Sequence, residues 1–230
     1  MRWISLDKQR LPQSYRALAR DCYDNCLAYL DEQLGKLFDE LQRRGVLDRT
    51  LVIVTSDHGE GLGEHGLFDH GESLYRTEVR VPLLIVLPSR SQYQGVVTET
   101  VSLRDVPATI VDLAGQGTGS PFLGRSLSGL WRGSAPGADS GTIEGAFSEL
   151  ASPNPTNPNQ GRSPAYRGPM ISLAEGDFVY IRNEGDGTEE LFDERADPRE
   201  LTNRARSDAM RLVLQRFRER LARIKGMTGN

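Results

Sequence analysis

Histidine and cysteine are scarce in this chain of 230 residues, with three of the first and two of the second. Long apolar runs are absent too. No stretch approaches the roughly 20 residues that a membrane-spanning helix needs, so no span is expected. Positive charge is not in excess, and a net charge of −4 argues against nucleic acid as the main partner. The basic stretch at 204–225 spaces its charges as a solvated helix face does. Residues 1–8 lack the apolar segment of a secretory signal, which leaves the compartment unassigned. The oligomeric state is likewise unassigned. Cys22 and Cys26 stand four apart on an expected helix. A zinc site would need two more soft ligands, and a disulfide between such positions has poor geometry. They therefore read as small core residues.

All three histidines fall within thirteen residues, in Asp57-His58-Gly59-Glu60-Gly61-Leu62-Gly63-Glu64-His65-Gly66-Leu67-Phe68-Asp69-His70. Neutral imidazole is a common metal ligand and the side chain that titrates near neutral pH, so concentrating it suggests chemistry. The cluster follows the apolar run Leu51-Val52-Ile53-Val54-Thr55. A buried strand ending in a glycine-rich loop is where an open α/β sheet places its ligands.

Around that loop the periodicity predicts a long helix over 14–44, with Tyr23, Cys26, Leu27, Leu30, Leu34, Leu37, Phe38 and Leu41 at three- and four-residue steps. Arg43, Arg44 and Gly45 suit its end. Strands are expected at 50–55 and 81–88, each apolar on both faces as parallel strands are. Short helices are expected at 73–78 and 102–114. Ser102 with Asp105 resembles a capping box for the second, while Pro107 fits better if Asp105 is the cap. Composition changes at 133. Loops rich in Gly, Pro, Ser and Asn fill 133–141 and 152–169. Short strands follow at 145–150, 170–173, 178–182 and 190–193, with Asp186-Gly187 as a hairpin turn. A helix at 207–225 carries Met210, Leu214, Phe217, Leu221 and Ile224 on one face.

Asp57 and His58 are neighbours at a strand end, where side chains point to opposite faces. Both can reach one ion if the backbone turns, and Gly59 permits that turn. An Asp oxygen with a His nitrogen suits Ca2+, Mn2+, Mg2+ or Zn2+ and does not choose between them. Two ligands are too few for any of these ions, and the pair alone also fits a solvated surface turn.

The longer string is more specific. Thr55-Ser56-Asp57-His58-Gly59-Glu60, Leu62-Gly63-Glu64-His65-Gly66, His70, Tyr75 and Arg80-Val81-Pro82-Leu83-Leu84 together resemble the sulfatase family of the alkaline phosphatase superfamily. Asp105-Val106-Pro107-Ala108-Thr109 and Glu190-Leu191-Phe192-Asp193 with Asp197-Pro198 extend the resemblance over most of 20–205. It implies an α/β fold: an alkaline phosphatase-like, mostly parallel sheet flanked by helices, present in part, with a small C-terminal antiparallel subdomain and a terminal helix. Residues 1–133 would be the C-terminal part of the sulfatase core with the metal-site loop, and 134–230 the antiparallel subdomain and helix.

The same resemblance implies hydrolysis of sulfate esters, with Asp57 and His58 as metal ligands and His70 as the catalytic residue that meets the transferred group. It implies one divalent metal ion, Ca2+ first, with Mn2+, Mg2+ and Zn2+ open. The substrate would be a small-molecule or saccharide sulfate or phosphate ester. His65 reads as a loop-ordering residue, and Glu60 and Glu64 as structural. The family's nucleophile lies in a Cys/Ser-x-Pro/Ala-x-Arg motif, the cysteine form being oxidised to formylglycine. Neither Cys22 nor Cys26 fits it, so the chain resembles a C-terminal portion whose nucleophile half is absent. Two readings stand beside this one. The first is a phosphodiesterase, phosphonate monoester hydrolase or phosphoglycerol transferase of the same superfamily. The second is a non-catalytic truncated or binding fragment.

Overall fold

A computed structural model describes residues 7, 10–88, 93–116, 122–132, 145–151 and 161–228. The composition boundary expected at 133 opens a stretch, 133–144, outside the described residues; residues 152–160 of the loop expected at 152–169 and nearly all of residues 1–8 lie outside them too. The chain falls into two compact units, and neither is a single run of sequence. One comprises Met1–Glu72, Thr77–Tyr93 and Asn154–Ser163, the other Ser73–Arg76, Gln94–Pro153 and Pro164–Asn230.

In the first unit, helix α1 spans Gln13–Arg43 and ends against Gly45, whose φ of 65° is the left-handed turn that glycine allows without a Cβ clash. A 3-10 turn, Leu47–Arg49, leads into strand β1, Val52–Thr55. A tight hairpin follows, β2 at Gly61–Leu62 and β3 at Phe68–Asp69, then helix α2 at Arg76–Val79, whose first residue is counted with the other unit, and strand β4 at Leu83–Val86. β1 and β4 pair antiparallel, Val52 opposite Val86 and Thr55 opposite Leu83. The expectation of parallel strands covered on both faces does not hold: the two pair antiparallel, and β4 leaves Leu84 and Val86 57% and 45% exposed, because an apolar run reports neither the direction of the neighbouring strand nor what covers it. Among the described residues each keeps one edge without a strand partner. Cys22 and Cys26 are exposed rather than buried, because the helix that carries them buries none of its residues.

The second unit opens its helical part with the capping box that the sequence offered, while Asp105 holds the position before the next helix without a side-chain bond to that helix. Ser102 and Asp105 form a capping box around the 3-10 turn Leu103–Asp105, and Asp105 then opens α3, Val106–Leu113, with Pro107 in its first turn. Helix α4, Ser128–Arg132, follows. Side chains of this stretch tie 125–128 to α3. The Asp105 carboxylate accepts from Arg125 N at 3.0 Å, Thr109 Oγ1 accepts from Leu127 N at 2.9 Å, and Asp112 accepts from Ser126 and Ser128 hydroxyls.

Four strands then form one antiparallel sheet in sequence order: β5 Ala146–Leu150, β6 Met170–Glu175, β7 Phe178–Asn183 and β8 Glu189–Asp193. The Asp186-Gly187 turn joins β7 to β8, with Gly187 at φ 72°. A 3-10 turn, Asp208–Met210, leads into α5, Arg211–Thr228. The stripe Leu214, Phe217, Leu221 and Ile224 packs with Ile171, Leu173, Tyr180 and Leu191 into one buried core. The charges of α5 are only partly a solvated face. Arg218 pairs with Glu189, Arg220 with Glu175 at 2.7 Å, and Lys225 with Glu184, fastening the helix to the strands and their ends.

The segment Ser73–Arg76 belongs to this unit and is held there through Tyr75 and Arg76. Tyr75 Oη donates to Glu190 at 3.1 Å, and its ring meets Phe192 edge-on at 6.1 Å. Arg76 N donates to Glu200 Oε2 at 2.7 Å, and the Arg76 guanidinium pairs with Glu194 at 3.2 Å. Glu200 is 2% exposed, sits at a positive φ of 53°, and its Oε1 has no hydrogen-bond partner among the described residues. Burial is the main reason that its carboxyl is pushed up to about 7, with Glu194 and Glu190 adding to it against Arg76.

Candidate functional site

β1 ends at Thr55, whose hydroxyl donates to Pro82 O at 2.8 Å and holds the strand end. The chain then turns. Ser56 Oγ reaches His58 O at 2.7 Å, and Asp57 Oδ1 accepts from His58 N at 3.0 Å. Gly59 N donates to Glu78 O at 2.8 Å, and a Cβ at this position would lie 2.0 Å from Thr77 O. Only glycine allows the backbones to approach so closely, which explains its place directly after the Asp-His pair.

Asp57 is the most open member of the site, with a side chain 86% exposed. The hydrogen bond from His58 N is the main influence that lowers its carboxyl below the usual value, so it is ionised at neutral pH. His58 Nδ1 lies 2.9 Å from Gly59 O. A carbonyl only accepts, so Nδ1 carries the proton and Nε2 keeps its lone pair. That bond to Gly59 is also the first cause that raises the His58 pKa. Donation of the other ring N–H to a backbone carbonyl is the usual arrangement around a metal-bound histidine. Asp57 Oδ2 and His58 Nε2 are 3.7 Å apart. A single cation can span that gap, because metal–oxygen and metal–nitrogen bonds each run to about 2.0–2.4 Å. The donor chemistry thus fits a hard or borderline divalent cation at two positions. Among the described residues, no three His, Cys, Asp or Glu side chains gather to hold a metal ion.

The β2–β3 hairpin brings the third residue in. Its register sets Gly61 opposite Asp69 and Leu62 opposite Phe68. Arg20 of α1 donates to Leu62 O at 3.1 Å, and Glu64 Oε2 accepts from Leu62 N at 2.8 Å, so the outer part of the hairpin is braced. His65 takes a left-handed φ of 53° in the 3-10 turn Glu64–Gly66. His70, just past β3, sets its ring 4.2 Å from that of His58 at an interplanar angle of 31°. Its Nδ1 lies 3.0 Å from Glu60 Oε2. Asp57, His58 and His70 are therefore close together. Glu60, read from the sequence as structural, touches the site directly. Its signal was a ten-residue separation from His70 across a turn containing Gly63 and Gly66, the spacing of a hairpin whose ends meet.

Two serines match the family's nucleophile pattern, in Ser163-Pro164-Ala165-Tyr166-Arg167 and Ser207-Asp208-Ala209-Met210-Arg211. Ser163 is 2% exposed and donates its hydroxyl to Glu72 O at 2.6 Å. Ser207 is the exposed residue that opens the 3-10 turn before α5. A five-residue pattern with this much freedom recurs by chance and carries no assignment.

A family model described as Sulfatase matches residues 6–116. Choline-sulfatase of Rhizobium meliloti is 33% identical over 187 residues, covering 81% of this chain and 33% of that protein. The solved structure of BT4656 in complex with its substrate D-glucosamine-2-N,6-O-disulfate matches with a TM-score of 0.70 at 25% identity, over 87% of this chain and 39% of that one. Phosphonate monoester hydrolase SpPMH from Silicibacter pomeroyi gives 0.66 at 28% identity, over 85% of this chain and 38% of that one. The chain spans about a third of the length of the curated relatives it matches. The alkaline phosphatase-like fold expected from the motifs agrees with the solved structures of sulfatases. From the histidine loop, the antiparallel C-terminal sheet and these matches, the chain belongs to the sulfatase family of the alkaline phosphatase superfamily.

Proposed function

We propose that this chain contributes the Asp57–His58–His70 part of the active site of a metal-dependent sulfate ester hydrolase. The observation that carries the reading is the meeting of these three residues at the end of β1, in a chain of sulfatase ancestry. Asp57 and His58 Nε2 would be two of the ligands of one divalent cation, Ca2+ in the first instance and Mn2+, Mg2+ or Zn2+ otherwise. When bound, such a cation polarises the ester and neutralises developing charge. In its protonated form His70 would hold an ester oxygen through Nε2–H, or pass that proton to the leaving alkoxide. The remaining ligands and the nucleophile have no counterpart among the residues that meet here, so the chain on its own should bind metal weakly and turn nothing over. The substrate class is a small-molecule or saccharide sulfate. Choline-sulfatase and the glucosamine-disulfate complex are two examples of that class among relatives.

A second reading, phosphonate monoester or phosphodiester hydrolysis, is favoured by the 28% identity to a phosphonate monoester hydrolase. Both substrates offer a tetrahedral anionic group, and Asp57, His58 and His70 do not separate them.

Calorimetric titration of the chain with Ca2+ and Mn2+, repeated on Asp57→Ala, tests the ligand assignment. Weak binding that disappears in the variant is expected. No binding to the folded chain at millimolar metal would overturn it. Assays with an aryl sulfate, a bis-aryl phosphate and an aryl phosphonate should all be silent. Turnover abolished by Asp57→Ala would refute the claim of inactivity and identify the ester.

A further inference from the structure

We infer that Glu60 is a positioning residue that holds His70 in its Nδ1–H tautomer and so aims Nε2 at the ester. The inference rests on the proposed role of His70. It begins with the hairpin register: Gly61 stands opposite Asp69, so the residue before β2 and the residue after β3 face each other. Glu60 Oε2 is 3.0 Å from His70 Nδ1. A carboxylate only accepts, so Nδ1 donates and Nε2 is the nitrogen left to serve the ester. The Glu60 side chain is 25% exposed against 53% for His70, so the acceptor is set in from the surface while the ring reaches outward.

Two further restraints act on the same ring. The His58 imidazole lies against it at 4.2 Å. The backbone on either side, Asp69 at φ 72° and Gly71 at φ 73°, is left-handed, an unusual conformation for a non-glycine residue such as Asp69. The two imidazoles then follow one rule. His58 Nδ1 donates to a carbonyl and His70 Nδ1 to a carboxylate, which leaves both Nε2 atoms for the reaction. An imidazole without a partner at Nδ1 would divide between tautomers and flip, presenting the wrong nitrogen for part of the time.

The test reads tautomers directly. With three histidines in the chain, 15N-labelled protein gives three ring systems, and His65→Gln and His70→Gln assign them. Above the imidazole titration range, His70 should be mainly Nδ1–H in the wild type. Glu60→Ala should convert it to a majority of Nε2–H. Glu60→Gln keeps an acceptor oxygen and should restore the Nδ1–H majority. His58 should stay Nδ1–H throughout, which reports that the loop is folded. His70 as Nε2–H in the wild type, or unchanged by Glu60→Ala, overturns the inference. Should Glu60→Ala also scramble His58, Glu60→Gln decides, and an Nε2–H majority there overturns the inference. None of these readouts needs metal or substrate. A failure here is therefore distinct from a failure of the proposed function, which metal titration of Asp57→Ala detects.

Discussion

The C-terminal sheet buries Leu173, Tyr180 and Leu191 completely under α5, whereas α1, the longest element of the chain, buries no residue at all. Both helices carry an apolar stripe at helical spacing. On α5 the stripe meets four strands of the same unit. On α1, Leu27, Tyr29, Leu30 and Leu37 are each about half exposed or more, and Leu84 and Val86 of β4 are similarly open. Amphipathicity therefore names the face that needs covering, and the supply of a partner decides whether it is covered. The candidate active site belongs to the open unit, the stable core to the other.

The largest effect expected from this contrast is at Phe217, which is fully buried between Tyr180 and the leucines of α5. Phe217→Ala should cost about 3–5 kcal/mol of the C-terminal unit's stability, read by urea unfolding. Hydrogen exchange should then quicken at β6–β8, while the amides of α1 exchange as before. If α1 loosened to the same degree, the two units would be one cooperative body and the comparison would fail.

Glu200 gives the next effect, and it lies in the same well-packed unit. Its folded pKa of about 7 stands above the ordinary 4.5, so the folded chain keeps a proton that the unfolded chain has already released. The stability from this group is complete below about pH 4.5 and is lost as pH rises through about 7, a fall of about 3 kcal/mol. Glu200→Gln cannot titrate and should flatten that fall, measured as unfolding free energy at pH 5 and pH 7.5. Equal slopes for variant and wild type would show that the carboxyl is not confined as described.

Much of the C-terminal unit was legible because its signals are local. Short strand-like runs, the Asp186-Gly187 turn and the stripe from Met210 to Ile224 all predicted what formed. The site was legible in part. Asp57, His58 and His70 were marked by residue type and by their place after an apolar run. Glu60 was marked only by its ten-residue separation from His70, because its role comes from the register of a hairpin with two-residue strands, which no periodicity reports. The direction of β4 was hidden for the same reason, since pairing depends on how the intervening loop folds back. Cys22 and Cys26 were misjudged because burial is not a property of the helix that carries them. The charges of α5 showed the limit from the other side: their spacing suits water, yet three of them find carboxylates on the neighbouring strands and strand ends.

The smallest effect is the sharpest check on the open surface. Leu27 and Leu30 are 47% and 52% exposed on α1. Changing an exposed leucine to lysine removes little burial and keeps a good helix former, so Leu27→Lys and Leu30→Lys should each alter unfolding free energy by no more than about 0.5 kcal/mol. Their visible consequence should be in solution behaviour. A contiguous apolar face invites association, so sedimentation velocity at rising concentration should show less self-association in the double variant than in the wild type. A cost of several kcal/mol would mean that these side chains are buried in solution. α1 would then have a partner after all, and the contrast between the two units would shrink to a difference in which surfaces are covered rather than whether they are.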